Sequence, residues 1–206
     1  MSMNIAIISD THLKKNSGQL DNLITEFRNV DLVIHAGAYG GAWVIEYLQN
    51  HFNFIGVCGN IDDNTIKAHL QEKLILKVGP YQIGVCHGHG KMKTTIERAY
   101  TNFQNNLVDI IIFGHSHQPM IKTMNKVLML NPGSLTHKRQ ERWFSYILLT
   151  VDFSGIKAKL IFNELSPKIP KPPPHEIMPT SQPDTNPLNK VQSAFYHLLI
   201  LVLLLI

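Results

Sequence analysis

Short apolar runs recur along the chain, and stretches with apolar residues at helical spacing lie between several of them. Residues 4–9 form a first apolar run and read as a strand. Leu20, Leu23, Ile24 and Phe27 recur at helical spacing and predict a helix over 19–28. Residues 31–36 make a second strand that ends at Gly37, and Val44, Tyr47 and Leu48 predict a helix over 42–50. Residues 54–58 make a third strand, ending at Gly59. Strand and helix in alternation indicate right-handed crossovers between parallel strands. Asp62 and Asp63 then read as caps of a helix near 65–70.

The second half is richer in antiparallel signals. Residues 74–78 and 82–86 flank Gly79-Pro80 and read as a hairpin. Ile96, Ala99, Tyr100, Phe103 and Leu107 mark another helix, and 109–113 and 127–130 two more strands. Apolar runs at 144–151 and 156–162 flank Asp152-Phe-Ser-Gly155, a second hairpin. The expected fold class is α/β (α+β), with two mixed sheets and helices outside them.

From Leu165 the character changes. Pro167, Pro170 and Pro172 to Pro174 mark 165–193 as a polar linker without periodicity. Residues 194–206 are apolar except for His197. A membrane-spanning helix needs about 20 apolar residues. The tail is therefore expected to make at most a weak membrane or protein contact. Residues 1–164 form the expected folded domain.

Composition adds little and excludes more. With 44% hydrophobic and 17% charged residues, the chain is not a disordered polyelectrolyte. The net charge of +4 comes without a run of Lys and Arg interleaved with aromatics, so no specific nucleic-acid partner is expected. Cys58 and Cys86 sit in apolar runs and supply no disulfide framework. Residues 1–8 lack a basic segment and cleavage pattern, and a cytoplasmic location is expected.

The chemistry lies where strands end. Asp10 and His12 follow the first strand, and His35 and Gly37 close the second. Asn60 follows the third, His87 the hairpin, and His115 and His117 the 109–113 strand. Carboxyl ends of strands in α/β sheets converge on a ligand crevice. One Asp-x-His or His-x-His alone is weak evidence; the set together points to a metal or phosphate site. Gly59 and Gly114 suit a tight backbone path close to an anion.

Asp10-x-His12, Gly59-Asn60, His87 and Gly114-His115-x-His117, in this order, resemble the calcineurin-like metallophosphoesterase superfamily. Gly59-Asn-Ile-Asp62, Cys86-His-Gly-His89 and Asn131-Pro-Gly-Ser134 are similar to its small YfcE-type phosphodiesterase branch, to which Vps29 is related. The resemblance covers about residues 3–163. It implies a four-layer αββα sandwich and hydrolysis of small phosphodiesters by a metal-bound hydroxide at two divalent ions. Asp10, His12 and His117 would hold one ion, and Asn60, His87 and His115 the other. Asn60 and His89 would contact the phosphate or leaving group. Mn is favoured, with Ni, Zn, Fe and Co as alternatives.

One position departs from the pattern. The bridging aspartate expected after Gly37 is Ala38. Two divalent ions about 3.5–4 Å apart then repel with one negative charge fewer between them. Ile61 also stands where many relatives carry a histidine after Gly-Asn. The alternative to an enzyme is therefore a catalytically silent scaffold of the same fold. Lys91 and Lys93 read as solvated, Asn131-Pro-Gly-Ser134 as a turn beside the site, and His35 as strand support rather than a ligand.

Overall fold

Period-two alternation in the first strand sets up the layers. In β1 (Met3–Ile8), Ile5 and Ile7 join one buried cluster, while Ala6 and Ile8 join another. The computed structural model describes residues 2–16 and 18–163. β1 pairs in parallel with β2 (Leu32–His35), and β2 in parallel with β3 (Phe54–Gly56). A long antiparallel hairpin, β9 (Phe144–Asp152) and β10 (Gly155–Asn163), completes a sheet of order β10-β9-β1-β2-β3.

The second sheet has the order β4-β5-β6-β8-β7, from β4 (Lys73–Val78), β5 (Tyr81–Cys86), β6 (Ile110–Ile112), β7 (Met120–Met124) and β8 (Val127–Asn131). Its central neighbours β5, β6 and β8 are parallel. Ile5, Ile7 and Ile34 meet Val85, Ile112 and Leu130 between the sheets. Outside the first sheet, α1 (Asp21–Glu26), α2 (Trp43–His51) and α3 (Asn64–His69) bury Leu23, Val44, Leu48 and Ile66 against Ala6, Ile8 and Val33. Outside the second, Ala99 of α4 (Thr95–Asn102) and Phe103 cover Ile111 and Met129. The result is the expected helix–sheet–sheet–helix sandwich.

Two elements differ from the sequence reading. α4 starts at a capping box between Thr94 and Glu97 but stops at Asn102, and Leu107 is 97% exposed. Asn102, Asn105 and Asn106 are weak helix formers clustered where the helix stops, so the spacing of Leu107 was coincidental. β7 was not predicted. It is an edge strand of mixed exposure, joined to β8 by Asn125-Lys126, both at positive φ, rather than by a glycine-containing turn. The linker over 165–193 and the tail over 194–206 lie outside the described residues. Among the described residues, no helix is long and apolar enough to cross a membrane.

Candidate metal centre

Six parallel strands, three in each sheet, send their following loops to one edge. There the structure brings together Asp10, His12, Asn60, His87, His115 and His117. Asp10 Oδ1 lies 3.2 Å from His117 Nε2, 3.5 Å from His12 Nε2 and 3.9 Å from His87 Nε2. Asn60 Oδ1 lies 3.1 Å from His87 Nε2 and 3.2 Å from His115 Nδ1. The six groups thus fall into two halves, with His87 facing both. The His89 ring sits beside them, its centroid 5.6 Å from that of His87.

The backbone pays for this convergence in left-handed residues. Asp10, His12, Ala38, His115 and His117 have φ of 54°, 50°, 66°, 69° and 61°. Such non-glycine conformations persist only where surrounding structure overdetermines them. Here Asp10 N donates to Gly37 O at 3.0 Å and His12 N to Ala38 O at 3.1 Å. His115 N and Ser9 Oγ donate to Asp10 Oδ2 at 2.9 and 2.7 Å, which ties the two sheets together and leaves Oδ1 for the imidazoles. Ser134, in the turn after β8, donates to the Asp10 carbonyl at 2.7 Å. Gly114 serves by lacking a side chain rather than by its φ: a Cβ there would lie 1.9 Å from Ser9 Oγ and 2.7 Å from Asp10 Oδ2.

Asp62 corrects the reading of Asp62-Asp63 as a pair of helix caps. Asp63 does cap α3, accepting from Ile66 N at 3.0 Å. Asp62 is instead buried and accepts from the backbone of Gly59 (2.6 Å), Ala38 (3.0 Å) and Tyr39 (2.7 Å). One carboxylate so fastens the loop after β2 to the loop after β3. Asp62→Ala would strand three N–H groups next to the site. A loss of about 3 kcal/mol in unfolding free energy is expected, because hydrogen bonds to charged groups are worth ~1.5–3 kcal/mol each and partly overlap; urea denaturation checks it.

His35 is fully buried. Its Nδ1 accepts from Gly37 N at 3.0 Å, its Nε2 meets Thr11 Oγ1 at 3.2 Å, and its ring stacks on Tyr39 at 3.9 Å. Burial pushes its pKa down to about 3. It braces the turn at Gly37. Lys91 and Lys93 are exposed, and Cys58 and Cys86 are buried and free.

The protonation states suit a cation. Burial works to raise the Asp10 carboxyl, but hydrogen bonds from His117 and His12 and the charge of the His87 and His117 rings in their protonated forms outweigh it and hold it well below the carboxylate range. Burial lowers His87 and takes His115 down to about 4, so both rings are neutral at pH 7. Two tautomers are set by main-chain carbonyls. His87 Nδ1 donates to Ala36 O at 2.7 Å, and His117 Nδ1 donates to His137 O. In the neutral rings the Nε2 atoms then present lone pairs, to Asn60 Oδ1 and Asp10 Oδ1 respectively. With neutral rings acceptor faces acceptor in both halves, and Nε2 of His12 and of His117 is buried without a hydrogen-bond partner. A positive ion between them resolves each contact, and oxygen with imidazole nitrogen is a donor set for first-row divalent metals.

Residues 3–154 match the model of the calcineurin-like phosphoesterase superfamily domain. The chain belongs to this superfamily. A protein of Methanocaldococcus jannaschii named a probable metallophosphoesterase is 34% identical over 140 residues, covering 67% of this chain and 71% of its own length. A phosphodiesterase of the same organism is 27% identical over 143 residues, covering 64% and 83%. The crystal structure of Vps29 from Entamoeba histolytica complexed with zinc shares the fold with a TM-score of 0.57 and 24% identity, covering 78% of this chain and 99% of that one.

As a member of a metal-dependent superfamily, this phosphoesterase domain has ligand-type residues at the strand ends where its sequence motifs predicted them. Ala38, buried and 66° in φ, stands in the loop after β2 at the edge of the site. Sequence reasoning missed one neighbour. The rings of His137 and His12 stack with centroids 4.8 Å apart, and His137 lies 5.5 Å from His117 by the same measure. The rule that ligand-type residues follow parallel strands would have found it, had it been applied to the turn after β8.

Proposed function

We propose that this domain hydrolyses small phosphodiesters with divalent ions held at the strand edge, and that Ala38 weakens the hold on one of them. The observation that carries the reading is the pair of acceptor–acceptor contacts, Asp10 Oδ1 with His117 Nε2 and Asn60 Oδ1 with His87 Nε2. Asp10, His12 and His117 would hold one ion, and Asn60, His87 and His115 the other, with Ala38 in the place of the shared carboxylate. Mn is the favoured metal, with Ni, Zn, Fe and Co as alternatives. Such ions, when bound, supply Lewis acidity toward phosphoryl oxygen and lower the pKa of water.

The chain's own groups do the rest. Asn60 turns its Oδ1 to the histidines, which leaves its amide N–H groups to donate to a phosphate oxygen. His89 has a buried Nδ1 without a partner and lies beside both His87 and His115. In this reading it would donate to the phosphate or hand a proton to the leaving oxygen, a task that the half-exposed Ile61 cannot perform. In the same reading residues 1–164 are the catalytic domain, 165–193 a linker and 194–206 a contact segment, in a cytoplasmic protein.

The test is Mn(II)-dependent turnover of bis(p-nitrophenyl) phosphate by the full chain. Slow, metal-dependent release of nitrophenol is expected. Ala38 and Ile61 favour a second reading, a silent scaffold. The outcome that selects it is no turnover by this chain and clear turnover by Ala38→Asp. No turnover by either protein sinks the phosphodiesterase reading.

A further inference from the structure

We propose that His137 supplies an additional imidazole to the ion held by Asp10, His12 and His117, so that this domain keeps one ion tightly although the carboxylate for sharing a second is absent. The inference rests on the metal centre proposed above and adds a ligand to it. His12, His117 and His137 each offer a ring nitrogen, and the three nitrogens lie within 4.8 Å of one another. Nitrogens bound at about 2.1 Å around a tetrahedral ion stand roughly 3.4 Å apart, so modest ring rotations close the set. His137 is exposed and its side chain has room to make them.

The main chain of His137 is already built into the site. Its N–H donates to Ser134 Oγ at 2.8 Å, and the same hydroxyl donates to the Asp10 carbonyl at 2.7 Å. Its carbonyl accepts from His117 Nδ1 and thereby aims the His117 lone pair inward. The ring in turn stacks on His12 with an interplanar angle of 22°. One residue therefore touches both imidazoles of this half. The two Nε2 atoms it accompanies are those left without hydrogen-bond partners.

The added donor has a defined electrostatic consequence. An imidazole is neutral, so it strengthens the hold on one ion without reducing repulsion between two. A site that lost a carboxylate and gained an imidazole favours one ion over a pair. Three nitrogens and one carboxylate suit Zn(II) or Co(II).

Zn(II) titration of the full chain tests this, read by long-range ¹H–¹⁵N NMR of the imidazoles and by competition with a chromophoric chelator. At one equivalent the ring nitrogens of His12, His117 and His137 should shift together. His137→Ala should weaken Zn(II) binding by roughly 10- to 100-fold. His137→Phe keeps a ring on His12 but offers no donor, and should weaken binding as much. A His137 resonance that does not move, or full affinity in His137→Phe, overturns the proposal. Asp10→Asn separates the two levels. Unchanged Zn(II) binding in Asp10→Asn means that the centre itself is wrong; a loss there with full affinity in His137→Phe means that only the role of His137 is wrong.

Discussion

Ala38→Asp is expected to raise Mn(II)-supported phosphodiesterase turnover by about 100-fold and to bring the tightly held ions from one to two per chain. The reason is charge. Unit charges 4 Å apart interact by ~4 kcal/mol at an effective dielectric of 20, and two dications repel four times as strongly. A carboxylate between them attracts both. A net gain of only ~2.7 kcal/mol suffices for 100-fold. Among the clustered ligand-type side chains Asp10 is the single carboxylate, and Asp62 is committed to three main-chain N–H groups.

The backbone at position 38 favours the change. Ala38 sits at φ 66°, where aspartate and glycine are tolerated better than alanine. Ala38→Gly provides the control. It should stabilise the fold by about 1 kcal/mol by relieving the left-handed conformation, yet leave ion count and turnover unchanged. Metal analysis after dialysis, initial rates and thermal melts measure all three quantities. If Ala38→Asp holds no more metal and turns over no faster than this chain, the missing-carboxylate account fails.

Asp10→Asn should cost at least about 100-fold in affinity for the first ion, and turnover with it. Asp10 is 1% exposed, and its Oδ1 is the point on which His12, His87 and His117 converge. The amide keeps an oxygen for the Ser9 hydroxyl and the His115 N–H, so the fold should survive. Its NH₂ then turns to the imidazole lone pairs and satisfies them by hydrogen bonds, and the site no longer needs a cation. The charge of the only carboxylate in the cluster is gone as well. A thermal-shift series with Mn(II) reads the result: the melting temperature of this chain should rise with metal, and that of Asp10→Asn should not. An equal rise in both would show that the ion binds elsewhere.

Several features were readable before any coordinates because their physics is local. Apolar runs, helical spacing and the Gly79-Pro80 and 152–155 turns placed nine of the ten strands. Ligand-type residues after strand ends marked the site, since parallel strands must deliver those ends to one edge. The departure at Ala38 was visible only through the resemblance to the superfamily, whose pattern places an aspartate after Gly37. Local signals misled in two places: Leu107 kept helical spacing beyond a helix that had already stopped at Asn102, in an asparagine-rich stretch, and β7 hid in a half-exposed edge strand.

By itself, then, the sequence determined most of the strands and helices and the ligand-type residues that follow the strands, because these depend on periodicity and on order along the chain, while the sandwich came from the motifs shared with the superfamily. Only the tertiary structure decided how those residues act on one another. It took Asp62 from a helix cap to a clamp on Ala38, assigned the lone pairs of His87 and His117 through the carbonyls of Ala36 and His137, and set His137 against His12. Those relations join positions 20 to 125 residues apart in sequence, as in the hydrogen bonds from Thr136 to Thr11 and from His117 to His137. No local pattern encodes such pairs; they exist only once two sheets, packed face to face, bring their loops to a common edge.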